Sequence, residues 1–311
     1  MFGMNMISIV VPCYNEEESL PLFYQAILET KSRLPEVDFE FILVNDGSKD
    51  NTLKIMRSLA QQDANVHYVS FSRNFGKEAA LLAGLAHAQG DYVAVMDADL
   101  QDPPALLPEM YETLQTKMYD CVATRRVTRE GEPPIRSFFA RMFYKLINKM
   151  GGELVYNHAD YRLMSKRALK GLLEFDEVNI FLRGMVPMVG YQSDIVTYER
   201  AERFAGESKY PLKKMLSFAF EGITSLSVKP IKMIFNVGIL ICIISVLAII
   251  YCLVRHFTNN TVSGWTSLVM SIWFLGGLQL IAIGMVGQYI GKIYLETKAR
   301  PKFIIEQVLN D

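Results

Sequence analysis

Tyr92-Val-Ala-Val-Met-Asp97-Ala-Asp99-Leu-Gln101-Asp102-Pro103-Pro104 runs from an apolar stretch into an acidic turn closed by two prolines. A short β-rich run bounded by turn formers reads as a buried strand. Asp97 and Asp99 are two residues apart, so in extended backbone their side chains point the same way. Hard oxygen ligands converging at a strand end suit Mg²⁺ or Mn²⁺, and Gln101, again two residues on, adds a neutral oxygen. A cation held there neutralises a diphosphate leaving group as its bond breaks. Alone, an Asp-x-Asp is also a common solvated turn, so the surrounding sequence has to decide.

Outward from this stretch, β-rich runs at 7–12, 39–45, 66–71, 92–96 and 120–124 alternate with helical patterns at 18–33, 52–62 and 77–88. That alternation predicts an α/β domain with a mostly parallel sheet, in which ligands gather beyond the carboxyl ends of the strands. Two further polar segments follow strands: Pro12-Cys-Tyr14-Asn15-Glu16-Glu17 and Asn45-Asp46-Gly47-Ser48. Asp46 can accept hydrogen bonds from a base or a ribose. Glu16 and Glu17 read equally as charges at the start of the next helix, and 45–48 equally as a plain turn.

The chain has 311 residues, half of them hydrophobic and 21% charged, with a formal net charge of −1. Its mean hydropathy is +0.16. Near-neutral charge gives no global argument for nucleic acid, which is not expected as a partner. The apolar residues are concentrated: 233–254 and 265–290 are uncharged runs of 22 and 26 residues. Each suffices to cross about 30 Å of hydrocarbon as a helix. Lys213, Lys214, Lys229 and Lys232 precede this pair and Lys292, Lys298, Arg300 and Lys302 follow it. The positive-inside rule therefore puts both termini in the cytoplasm. Apolar stripes at helical spacing over 135–150 and 212–226, with basic residues off the stripe, predict amphipathic helices at the bilayer surface, or packed on the sheet.

The four cysteines, Cys13, Cys121, Cys242 and Cys252, show neither metal-ligand pairing nor a disulfide framework, and a reducing compartment fits. The short apolar stretch 7–11 lacks the basic flank and cleavage site of a signal peptide. The expected layout is a catalytic domain over 1–208, a juxtamembrane helix over 209–232, two membrane helices over 233–290, and a cytoplasmic tail over 291–311.

Val11-Pro-Cys-Tyr-Asn-Glu16-Glu17, Asn45-Asp-Gly-Ser48, Ser72-Arg-Asn-Phe-Gly-Lys77 and Met96-Asp-Ala-Asp-Leu-Gln-Asp-Pro-Pro104 together resemble glycosyltransferase family 2. The likeness is greatest to its polyprenyl-phosphate glycosyltransferase branch, the dolichyl-phosphate mannose synthases and undecaprenyl-phosphate glucosyltransferases. It extends through His158-Ala-Asp-Tyr-Arg-Leu-Met164 and Arg203-Phe-Ala-Gly-Glu-Ser-Lys-Tyr-Pro211 into the paired apolar runs. The resemblance implies a Rossmann-like nucleotide-sugar transferase domain of GT-A type. It implies that Pro12, Tyr14, Glu16, Asp46, Lys77 and Asp97 line the nucleotide-sugar pocket, that Asp97 and Asp99 are the catalytic carboxylates, and that Asp99, Gln101 and Asp97 hold Mg²⁺ or Mn²⁺. Arg125 and Arg136 would face the acceptor phosphate, with Arg162, Arg200, Arg203 and Lys209 in the same anionic region; a guanidinium suits this through two parallel hydrogen bonds.

The Gln-x-x-Arg-Trp signature of processive synthases is absent, the two tryptophans being Trp265 and Trp273. A single transfer to polyprenyl phosphate is expected, with inversion, from a nucleotide sugar, UDP-glucose before UDP-N-acetylglucosamine, UDP-galactose or GDP-mannose. The expected setting is a bacterial inner membrane, with Gly287-x-x-x-Gly291 as a helix-packing motif for a homo-oligomer. Transfer to another lipid hydroxyl, which would need a general base, and an inactive membrane scaffold are the competing readings.

Overall fold

The computed structural model describes residues 5–127, 158–177, 180–199 and 264–309, with isolated positions between 231 and 247. Apolar, β-branched runs form a central sheet: β1 (Asn5–Cys13), β2 (Val37–Asn45), β3 (Val66–Phe71), β4 (Tyr92–Val95), β5 (Cys121–Val127), β6 (His158–Ser165), β7 (Ser193–Glu199) and β8 (Ile305–Leu309). Their order is β7-β5-β6-β4-β1-β2-β3-β8. β4-β1-β2-β3 run parallel, and β6 lies antiparallel between β4 and β5. β7 is parallel to β5, and β8 closes the far edge antiparallel to β3.

Strand alternation sends side chains to two cores. One packs Ile7, Ile9 and Val11 of β1 against α1 (Ser19–Lys31), α2 (Thr52–Gln62) and α4 (Leu107–Lys117). The other packs Val10, Val93 and Val95 against α3 (Lys77–His87), α5 (Lys166–Leu173) and α6 (Leu182–Met188). α3 lies so close to the sheet that a Cβ at Gly84 would meet Val10 Cγ1 at 2.4 Å. This is the α/β sheet expected from the sequence, with the strand positions at 7–12, 39–45, 66–71 and 120–124 borne out within a residue or a few.

Three strands were not read from the sequence. β6 carries His158, Asp160 and Arg162 among its apolar positions, which breaks the pattern of a central strand. β8 is only five residues long and lies in 291–311, the segment expected as a tail. The chain reaches it from α7 (Trp265–Lys298), a helix of 34 residues that outruns the apolar stretch by eight. Ala299, at φ 44, ends it in a left-handed turn ahead of Pro301. Phe274–Lys298 is long and apolar enough to cross a membrane, and Leu280, Ile283 and Ile290 stand 71%, 66% and 59% exposed. Described positions of the first apolar run are helical, and Phe235, Leu240 and Leu247 among them are exposed. The amphipathic stretches 135–150 and 212–226 lie outside the described residues.

Candidate active site

Four loops meet at the carboxyl ends of β1, β2, β3 and β4. The first two are stitched together. Asn15, at φ 56, donates its backbone N–H to Ser48 Oγ at 3.0 Å, and its Oδ1 accepts the Lys49 N–H at 2.8 Å. The Glu16 N–H donates to Thr52 Oγ1 at 2.8 Å, and the Glu17 carboxylate accepts from the backbone and side chain of Asn51 at 2.9 and 2.8 Å. Glu17 thus braces the start of α2, across the loop, rather than its own helix. Tyr14 is 43% exposed above this lattice, while Pro12 is half-buried.

Asp46 is nearly buried and turned towards the third loop. Its carboxylate accepts the N–H of Phe75 at 2.6 Å and of Gly76 at 3.0 Å. Burial raises its pKa, and the two amides partly offset that. Its oxygens therefore organise the 72–77 loop. Gly47 beside it is at φ +64, where a Cβ would lie 2.4 Å from the Arg73 carbonyl carbon.

Lys77, the first residue of α3, is the hub of the site. Its Nζ lies 2.7 Å from Asp97 Oδ1 and 2.8 Å from Oδ2, and 3.0 Å from Asp160 Oδ2. The sheet register explains the meeting. Val95 of β4 pairs with Arg162 of β6, so two residues further along, Asp97 and Asp160 come opposite each other. Asp160 also takes two hydrogen bonds from Arg183, from Nε at 3.1 Å and Nη2 at 2.7 Å, with Arg162 Nη2 at 3.8 Å. Glu78 anchors the same region by accepting the Leu182 N–H, at the start of α6, at 3.0 Å.

Electrostatics follow from this placement. Burial works against every charge here. For Asp160 it is outweighed by Lys77, Arg183 and Arg162, which hold the carboxyl far below the usual range. For Lys77 burial is outweighed by Asp97 and Asp160, which push the ammonium up. Asp97 is raised by burial and by repulsion from Asp160 and Asp99, against the pull of Lys77. Glu16 is likewise raised, by burial and then by Asp99, Asp97 and Asp50, against a hydrogen bond from Ser19. Glu16 and Asp97 are thus both raised by burial and by their carboxylate neighbours, with Lys77 offsetting part of this at Asp97.

Of the residues expected at the site, Pro12, Tyr14, Glu16, Asp46, Lys77, Asp97 and Asp99 come together at this end of the sheet. Gln101 is 4% exposed, and its backbone N–H donates to Asp99 Oδ1 at 3.2 Å in a tight turn. Asp102 beside it is buried and accepts a hydrogen bond from the Tyr198 hydroxyl. Among the described residues no three His, Cys, Asp or Glu side chains converge as a metal-binding group. Arg125 is exposed on β5. Arg162 is 4% exposed, donating to the carbonyls of Asp160 at 3.1 Å and Leu182 at 3.4 Å, so it braces the site from within. Arg136, Arg200, Arg203 and Lys209 lie outside the described residues. Asp160, Arg183 and Glu78 were missed; for Asp160 the signal was a carboxylate in the quoted His158–Met164 motif.

A mixed α/β sheet with helices on both faces and carboxylates beyond the ends of β1 and β4 is the layout of a GT-A-type domain. Residues 8–173 match the model of glycosyl transferase family 2. The chain belongs to that family and is a glycosyltransferase. It is 43% identical over 302 residues to the bactoprenol glucosyl transferase of Shigella phage SfV, covering 96% of this chain and 98% of that one. It is 42% identical over 307 residues to a prophage bactoprenol glucosyl transferase homolog of Escherichia coli K12, covering 97% and 99%. Among solved structures, the glucosyl-3-phosphoglycerate synthase of Mycobacterium tuberculosis, in complex with Mg²⁺ and UDP, shares the fold at 21% identity and a TM-score of 0.51, over 71% of this chain and 78% of that one. The mannosyl-3-phosphoglycerate synthase of Rubrobacter xylanophilus does so at 19% and 0.51, over 70% and 71%.

Proposed function

We propose that the protein transfers glucose from UDP-glucose to polyprenyl phosphate, with inversion, at the cytoplasmic face of a bacterial inner membrane. The observation that carries this reading is the Asp97 and Asp99 pair just beyond β4, electrostatically coupled to Glu16 beyond β1, in a chain that also presents a long exposed apolar helix, Phe274–Lys298. Near-full-length similarity to proteins named bactoprenol glucosyl transferase supports the sugar and the acceptor.

The donor set fits a hard divalent cation. Asp97 and Asp99 present carboxylates from one strand end, and the negative charge of both raises the pKa of Glu16. Oxygen ligands of this kind suit Mg²⁺ or Mn²⁺, held by Asp97 and Asp99 with Gln101 beside them. When bound, the ion would supply charge neutralisation to the departing nucleoside diphosphate. Pro12, Tyr14, Glu16 and Asp46 would frame the nucleotide, Asp46 through the loop it organises, with Lys77 at the diphosphate.

The acceptor needs no strong base. A phosphate monoester has a second pKa of about 6, so at neutral pH it arrives as an anion able to attack the anomeric carbon. The protein's task is positioning and charge stabilisation. Arg125, with Arg136, Arg200, Arg203 and Lys209, would receive the acceptor phosphate. Two membrane helices, 233–254 and 265–290, would hold the catalytic domain, 1–208 completed by the returning strand β8, and both termini in the cytoplasm, and amphipathic helices would guide the lipid. Among the described residues an added Cβ at Gly287 or Gly291 would meet nothing within 4 Å, and packing of a second copy on that helix face would give a homo-oligomer.

A donor screen tests the sugar. Full-length protein in detergent, given Mg²⁺ or Mn²⁺, polyprenyl phosphate and each labelled nucleotide sugar in turn, is expected to form lipid-linked product most efficiently with UDP-glucose. Preference for another donor would replace that assignment.

A further inference from the structure

Lys77 sits astride Asp97, its ammonium 2.7 and 2.8 Å from the two carboxylate oxygens. That is the carboxylate to which the proposed function gives a divalent cation, and two cations compete for one pair of oxygens. Asp160, the other partner of Lys77, does not depend on it. Arg183 already places two hydrogen bonds on Asp160 Oδ1, at 3.1 and 2.7 Å, and Arg162 lies 3.8 Å away. Asp160 is therefore a berth to which the lysine can withdraw while its own charge stays satisfied. The lysine side chain is 41% exposed, and a four-carbon stem leaves the ammonium free to swing without moving the helix.

We propose that Lys77 is a built-in counter-ion that occupies the place of the divalent cation on Asp97 until the nucleotide arrives. The metal alone is a poor competitor, because it must displace an ammonium held by two carboxylates. The metal and the nucleoside diphosphate together are a good one, because the diphosphate offers Lys77 a new anionic partner beside Asp160. The two ligands thus become coupled, each raising affinity for the other. The same lysine keeps Asp97 from facing Asp160 and Asp99 uncompensated.

The inference rests on the metal reading, and the test separates the two. Mn²⁺ binding to the full-length protein in detergent is measured by electron paramagnetic resonance of the free ion, with and without UDP. The wild type is expected to bind Mn²⁺ weakly alone and more tightly with UDP. Lys77→Gln should bind Mn²⁺ alone on the order of tenfold more tightly, since one nearby positive charge has gone, and should lose most of the enhancement by UDP. Lys77→Arg, which keeps the charge, should stay near wild type. Asp160→Asn should shift Mn²⁺ affinity the other way, severalfold weaker, because the lysine is then left to Asp97. That opposite sign keeps the test decisive if Lys77→Gln fails to fold, which thermal melting checks. Unchanged or weaker Mn²⁺ binding by a folded Lys77→Gln, or unchanged or tighter binding by Asp160→Asn, overturns the counter-ion role. Absence of Mn²⁺ binding by the wild type even with UDP removes the metal reading itself.

Discussion

At Gly47 the backbone adopts φ +64 and runs so close to the next loop that an added Cβ would come within 2.4 Å of the Arg73 carbonyl carbon and 2.5 Å of the Asn74 nitrogen. Neither neighbour is a flexible side-chain tip, so the loop itself would have to move. Gly47→Ala is expected to cost on the order of 1–3 kcal/mol in stability and to weaken UDP binding, because the displaced loop carries the Phe75 and Gly76 amides and Lys77. Thermal melting and a UDP titration check both halves; wild-type UDP affinity would show that this loop does not shape the donor pocket. Asp120 offers a pH test away from the site. A charged hydrogen bond from Arg167 holds its pKa down, reinforced by Ser165 and opposed by burial. Its folded value lies below its unfolded one, so its stabilising contribution is full above about 4 and is lost as pH falls through the folded value. Asp120→Asn should flatten the acid limb of the melting temperature against pH; a limb of unchanged steepness would mean that other carboxylates account for it. Asp97 and Asp99 were legible in the sequence because a buried strand runs straight into them. Asp160 was not, since only the antiparallel register of β6 brings it to Asp97 from 63 positions away.

Among the elements, β8 changes the picture most. Ile305–Leu309 pairs with β3, the strand that leads directly into the 72–77 loop. Phe303 stacks on Phe71 with centroids 5.0 Å apart, the Ser72 N–H donates to the Ile304 carbonyl at 3.1 Å, and Lys302 pairs with Asp176 at 2.9 Å. The chain leaving the long apolar helix is thereby fastened to the strand that positions Lys77, and it covers an edge that would otherwise expose unpaired amides. Phe303→Ala should cost on the order of 2 kcal/mol, less than full burial would give since the ring is only partly enclosed. Deletion of 305–309 should lower both the melting temperature and UDP affinity. Unaltered UDP binding after that deletion would sever the link drawn between the helix exit and the donor site. Short, solitary and following a membrane-length run, β8 gave no pattern to recognise; the parallel strands β1 to β3 did, because their apolar runs alternate with helical spacing.

At the scale of the whole molecule, a charged α/β domain and a helix with apolar residues exposed along its length share one chain. Burying those residues in lipid is favourable by about 25 cal/mol per Å². The protein should therefore remain in the membrane pellet after an alkaline carbonate wash; recovery in the supernatant would remove the membrane-spanning reading. The central claim is the transfer of sugar from UDP-glucose to a lipid phosphate, and the most direct test varies the acceptor alone. Full-length protein with Mg²⁺ or Mn²⁺ and labelled UDP-glucose is offered polyprenyl phosphate, the corresponding polyprenol or diacylglycerol. Label is expected in lipid with polyprenyl phosphate only, and is expected to vanish with Asp99→Ala. Transfer to the polyprenol or to diacylglycerol in place of the phosphate, or full activity of Asp99→Ala, would contradict the account.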